Sequence, residues 1–144
     1  MPHQIGTLNE KPLHAALKQW YAQPGDAFEV SVAGFMVDLV RGELLLEIQT
    51  RNLAGIKRKL LALTPQYPVR LIYPVAQDKW IVRLAKNKRT VLSRRKSPLH
   101  GALYHVFREL VSFPQLLAHP NFSIEVVLIQ EQESRRRDRK AGWR

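Results

Sequence analysis

Apolar and polar positions along the 144-residue chain recur with two periods, and the switches between them mark the elements. Over residues 7–21 the spacing is helical, with Leu13, Leu17 and Trp20 or Tyr21 on one face. Pro12 must then fall in the first turn, where its missing N–H costs little, and Asn9 is the expected N-cap. Pro24-Gly25-Asp26 ends the helix. Residues 28–32 alternate, Ala33-Gly34 turns, 35–40 are apolar apart from Asp38, and 43–49 resume a strand after the two-residue connection Arg41-Gly42. This predicts a three-stranded meander. Asn52 is placed to cap a second helix reaching Thr64, with Leu53, Ile56, Leu60 and Leu63 inward and Lys57, Arg58 and Lys59 mainly away. Strands are expected over 69–75 and 79–84, a basic loop over 85–97, a helix over 99–111, another turn or two at 114–118 and a last strand over 122–129. Beyond about Glu133 no core residue follows until Trp143.

The expectation is therefore one mixed α/β domain over residues 1–133 and a basic tail or linker over 134–144. The basic run stops abruptly at Arg144, as in a chain cut from a longer one. Composition fits a globule, with 45% apolar and 24% charged residues. The absence of cysteine excludes disulfides, thiolate metal sites and cysteine nucleophiles. No secretory signal and no long apolar run is present, so a cytoplasmic protein that does not enter membranes is expected. The net charge is +11, and all of it comes from two segments. Residues 85–97 hold Lys86, Lys88, Arg89, Arg94, Arg95 and Lys96 without an acid, and 134–144 hold Arg135, Arg136, Arg137, Arg139, Lys140 and Arg144 against Asp138. A neutral globule with two cationic arms is what a phosphate-bearing partner, nucleic acid above all, would select. A solvated loop with a solubilising tail is the plainer alternative.

The chemistry concentrates in residues 34–49. If Arg41-Gly42 closes the hairpin, Val40 faces Glu43, Asp38 faces Leu45 and Met36 faces Glu47. Asp38, Glu43, Glu47 and Gln49 then share one face, with Leu44, Leu46 and Ile48 on the other. Asp38 and Glu47 become diagonal neighbours about 7–8 Å apart, close enough to converge on one divalent cation with oxygen preference. Such a cation activates water and neutralises phosphoryl charge. The competing reading is an edge hairpin with one wet face.

Helix, three-strand meander, helix and strand, with Asp38 on the second strand and Glu47-Ile48-Gln49 on the third, resembles the PD-(D/E)xK nuclease superfamily. The resemblance covers residues 7–75 and implies a three-layer restriction-endonuclease-like core, to which an extra strand, a helix and a C-terminal strand are added. It implies that Asp38 and Glu47 bind Mg²⁺ or Mn²⁺, that Glu10 near the start of the first helix helps, and that Gln49 stands where lysine is usual. An amide can donate a hydrogen bond to the attacking water but brings no charge. Leu8-Asn9-Glu10-Lys11 and Ser93-Arg94-Arg95-Lys96-Ser97-Pro98 also resemble segments of uncharacterised bacterial proteins, which implies no activity.

Two functions follow as expectations. One is a metal-dependent DNA endonuclease-like phosphodiester hydrolase using Asp38, Glu47 and Gln49. The other is a non-catalytic nucleic-acid-binding module that kept the fold. In both, Arg51, Lys57, Arg58, Lys88, Arg89, Arg94, Arg95, Lys96, Arg135, Arg136 and Arg137 are candidates for phosphate contact. Pairing of two copies would suit an enzyme cutting both strands. A scaffold holding an acidic partner is a third reading. His14 and His119 have no partner recognisable in the sequence, His100 and His105 lack the spacing of a helical metal pair, and no phosphate-binding glycine loop is present.

Overall fold

The computed structural model describes residues 12–50, 52–98, 103–138 and 142–143. The elements are α1 (Pro12–Tyr21), β1 (Ala27–Val32), β2 (Phe35–Arg41), β3 (Leu44–Ile48), a 3₁₀ turn (Leu53–Ile56), α2 (Lys57–Leu63), β4 (Val69–Leu84), β5 (Val91–Lys96), α3 (Leu103–Leu110), α4 (Pro114–Leu117), β6 (Phe122–Asp138) and β7 (Gly142–Trp143). The chain is α/β with a mixed sheet. Among the described residues no helix is long and apolar enough to cross a membrane. Two compact units form. One takes the chain up to Pro74 with Val106–Val127, the other Val75–His105 with Leu128–Arg144.

In the first unit β1 and β2 are antiparallel, β2 and β3 are antiparallel, β3 and β4 are parallel, and β6 neighbours β4. Ala33 and Gly34 take φ of 49° and 82°, the left-handed pair that a tight two-residue hairpin needs, and they close Val32 onto Phe35 as the sequence predicts. The second turn differs from expectation. Arg41 pairs with Leu44, so the connection is Gly42-Glu43 and not Arg41-Gly42. Glycine is the residue that accepts a first turn position at φ 59°. Arg41 is also held in place by Asp26, at 2.9 and 2.8 Å, and by the Tyr21 carbonyl. The register moves by two residues, which keeps Asp38 and Glu47 on one face but sets them level in place of the diagonal.

The sheet's wet face is a second correction. Leu39, Leu46, Ile48 and Ile72 pack with Leu17 of α1, while Leu45 and Glu47 on the other face are buried too. Lys59 reaches Glu47 from α2, so α2 lies on that second side. The expected N-terminal part of the first helix, with Asn9 and Glu10, lies outside the described residues. Pro12 does open α1. Asn52 precedes the 3₁₀ turn but makes no side-chain cap. Glu109 of α3 fills that role, accepting the Leu53 N–H at 2.6 Å.

In the second unit the basic loop is a strand. β5 pairs antiparallel with the end of β4, Trp80 facing Lys96 and Val82 facing Arg94. Its six residues are all exposed, so no alternation of burial announced it. β4 is one 16-residue strand where two were expected. Pro74 falls after Ile72, the last β4 residue paired with β3 (at Ile48), so the missing N–H breaks no bond in that ladder. β6 likewise continues past 129, through the position near Glu133 where a tail was expected, to Asp138. Lys79 lies 2.6 Å from Glu133, and β7 pairs with Arg137 and Asp138.

Candidate active site

Regular pairing of β2 with β3 ends at Leu39 and Leu46, and one step further the side chains take over as acceptors. The Asp38 N–H donates to Glu47 Oε1 at 3.1 Å, and the Ile48 N–H donates to Asp38 Oδ2 at 2.9 Å. Each carboxylate is thus tied to the opposite strand. Glu47 is 3% exposed, a position that a carboxylate tolerates only with partners.

Two side chains supply them from the flanking helices. Lys59 Nζ of α2 donates to Glu47 Oε2 at 2.8 Å and also to the Met36 carbonyl. His14 of α1 brings Nε2 within 3.2 Å of Asp38 Oδ2. One turn on, the buried Lys18 donates to Glu29 Oε1 at 3.1 Å. Glu29 stands level with Asp38 on β1, between the pairs Phe28–Leu39 and Val30–Val37, and holds a left-handed φ of 51°. Strain of this kind in a non-glycine residue persists only where surrounding contacts enforce it, and it concentrates at functional sites.

The two acids titrate apart. Burial pushes Asp38 upward, but the hydrogen bonds from His14 and the Ile48 N–H, with the charges of His14 and Lys59, more than offset it and hold it below the usual carboxylate value. Burial pushes Glu47 up to about 7, the Asp38 charge adds to this, and Lys59 offsets only part. A pair of acids separated in this way is a mark of functional sites as well as of structural ion networks.

The structure brings Asp38 and Glu47 together, closer than the sequence suggested, and adds Lys59 and His14, which sequence reasoning had left outside. A signal existed for both. Lys59 lies four residues before Leu63, and His14 four before Lys18 and seven before Tyr21, so helical spacing places each beside a buried stripe. The Gln49 amide nitrogen donates to the Asn52 carbonyl at 2.8 Å. Glu43 sits in the turn, off the face it was assigned to. Glu10 and Arg51 lie outside the described residues. Lys57 packs over the Phe113 ring and its Nζ donates to the Ser112 carbonyl, whereas Arg58 is exposed. Lys88, Arg89, Arg94, Arg95 and Lys96 belong to the second unit's hairpin, and Arg135, Arg136 and Arg137 to β6.

Mg²⁺ is satisfied by one or two carboxylates with water completing its shell, which the Asp38–Glu47 pair can meet. Among the described residues no group of three His, Cys, Asp or Glu side chains converges for a metal. The donor set therefore fits a loosely held, water-rich cation and not a tightly caged one.

No solved structure matches the chain. It is 32% identical over 141 residues to an "Uncharacterized protein" of Treponema pallidum (strain Nichols), covering 97% of this chain and 56% of that protein. The chain thus spans little more than half the length of that curated relative. Residues 11–144, which include Asp38, Glu47, Lys59 and His14, match one family, and the protein belongs to that family, described as Domain of unknown function (DUF8091).

Proposed function

We propose that the protein is a metal-dependent nuclease-like phosphodiester hydrolase, with Asp38 and Glu47 as ligands for Mg²⁺ or Mn²⁺ and Lys59 as the charged group that Gln49 cannot be. The observation that carries this reading is the buried pair of opposed carboxylates with the Lys59 ammonium 2.8 Å from one of them. When bound, the cation supplies Lewis acidity toward a water and a phosphoryl oxygen. Asp38 and Glu47 are the residues that would hold it. Lys59, beside Glu47, would donate to negative charge on the phosphoryl group. His14 fixes the Asp38 carboxylate through its Oδ2 contact and so positions the ligand.

The order α1, β1–β3, α2, β4, with an antiparallel meander followed by a parallel strand, supports the PD-(D/E)xK resemblance. Nucleic acid is the substrate class that suits the +11 charge. The test is cleavage of labelled linear, nicked and four-way-junction DNA at low salt with Mn²⁺, with EDTA, and with Asp38→Ala. Cutting that requires both the metal and Asp38 is expected. Cutting that survives Asp38→Ala overturns the assignment.

A second reading, a nucleic-acid-binding module without catalysis, is favoured by one observation: the Gln49 amide nitrogen is committed to the Asn52 carbonyl. It predicts binding that EDTA and Asp38→Ala leave unchanged.

A further inference from the structure

Four cations of the second unit contrast with three others. At the base of its hairpin they are tied to neighbours. Lys96 lies 2.8 Å from Asp78, Lys79 lies 2.6 Å from Glu133, Arg135 pairs with Glu133, and the Arg94 guanidinium stacks 4.3 Å over the Trp80 ring. At the tip, Lys86, Lys88 and Arg89 are exposed, and among the described residues they form no ion pair. No acid stands between Asp78 and Glu109 in the sequence to neutralise them locally.

The tip is also folded and not a loose loop. The Ala85 N–H donates to the Thr90 carbonyl and the Lys88 N–H to the Ala85 carbonyl, both at 2.9 Å. Asn87 Oδ1 accepts from the N–H groups of Arg89 and Thr90, and its amide nitrogen donates to Thr90 Oγ1, again at 2.9 Å. Lys88 takes φ of 60° to complete the turn. Three like charges are therefore held on a built turn at the end of a two-stranded ribbon, an arrangement that repels itself unless an anion is met.

We propose that this hairpin is an arm that grips the backbone of duplex nucleic acid through Lys86, Lys88 and Arg89, with Arg95 alongside. The inference rests on the nucleic-acid part of the function proposed above and not on its hydrolytic part. Duplex is favoured over single strand because single-strand binding relies on exposed aromatic platforms. The hairpin's only aromatic residue, Trp80, is covered by Arg94. A two-stranded ribbon is also a width that the major groove admits. With no base-reading aromatic or amide at the tip apart from the committed Asn87, the contact is to phosphate and is indifferent to sequence.

The test is fluorescence anisotropy of a labelled duplex of about 20 base pairs with the full chain, in EDTA, from 50 to 200 mM KCl. The tip variant is Lys86→Ala, Lys88→Gly and Arg89→Ala together, glycine being free of strain at φ 60°. It loses about tenfold or more in affinity at 100 mM salt, and its salt slope becomes shallower by about 2–3. A charge-preserving variant, Lys86→Arg with Lys88→Arg and Arg89→Lys, binds as the parent does, which separates charge from folding. Arg94→Ala with Lys96→Ala stays within about threefold. Equal binding by the tip variant, equal loss in the Arg94/Lys96 variant, or binding of anionic phospholipid vesicles without binding of duplex would each overturn the proposal. Because EDTA suppresses hydrolysis, a protein that cuts nothing can still pass this test, and one that cuts can fail it.

Discussion

Lys59 and Glu47, twelve residues apart in the chain, are joined across the layers of the first unit by an Nζ–Oε2 contact of 2.8 Å. Neither residue is comfortable alone there. The Lys59 side chain is 19% exposed and that of Glu47 4%. Removing one partner of such a pair leaves the other's charge desolvated, which costs more than the pair contributes net.

Lys59→Met should therefore destabilise the protein by about 2–3 kcal/mol at pH 8, below the full cost for completely buried pairs because Glu47 can escape by taking up a proton. At pH 5, where Glu47 is already protonated, the loss shrinks. Adding Glu47→Gln to Lys59→Met recovers part of the loss at pH 8. Urea unfolding of both variants at the two pH values measures this. Equal losses at pH 5 and pH 8 would show that the contact is not ionic.

The raised Glu47 value has a definite sign in stability. The folded state holds the proton more tightly, with Glu47 moved from 4.5 to about 7. The associated stabilisation is fully present below 4.5 and is lost as pH rises through 7. Compared with Glu47→Gln, the parent protein should lose about 2–3 kcal/mol of stability between pH 4.5 and pH 7.5 in the absence of divalent metal. A flat difference across that window would contradict the assignment.

Asp38 works in the opposite direction. Its depressed value makes its contribution present above 3.8 and lost as pH falls through the lower folded value. Its charge is also the second cause, after burial, of the raised Glu47 value. Asp38→Asn should move the Glu47 titration downward from about 7 while leaving it above 4.5, since burial remains. Carboxyl ¹³C shifts followed from pH 4 to 9 report this directly, and an unmoved titration would mean that the two acids do not interact.

Glu109 ties three elements of the first unit together, accepting the Leu53 N–H at 2.6 Å and the Tyr73 hydroxyl at 3.3 Å. Glu109→Ala should cost about 1–2 kcal/mol, the usual loss for a helix cap. It should also lower the Tyr73 titration, which burial and then the Glu109 charge raise above 10.0. Thermal unfolding with tyrosinate absorbance tests both. A destabilised protein with an unchanged tyrosine titration would break the link between them.

Much of the first unit was legible in the chain because it is set by local stereochemistry. Pro12 can only open a helix, Ala33-Gly34 can form a left-handed turn, and alternation places Asp38 and Glu47 on one face whichever even register the hairpin takes. The basic hairpin was illegible for the complementary reason. β5 buries nothing, so its strand character comes from pairing with β4 and leaves no periodic trace. The polar end of β6 was missed likewise.

The sequence by itself determined which residue types could do chemistry here, that Ala33-Gly34 turns, and that all excess charge lies in two segments. Only tertiary structure decided that Asp38 stands level with Glu47, that Gln49 is spent on Asn52 while Lys59 reaches the acids, and that Glu109 rather than Asn52 caps the 3₁₀ turn. The division has one physical cause. Backbone preference and amphipathic period act over a few neighbouring residues, whereas a buried charge takes whichever partner the packing brings within about 3 Å, and that partner can come from anywhere in the chain.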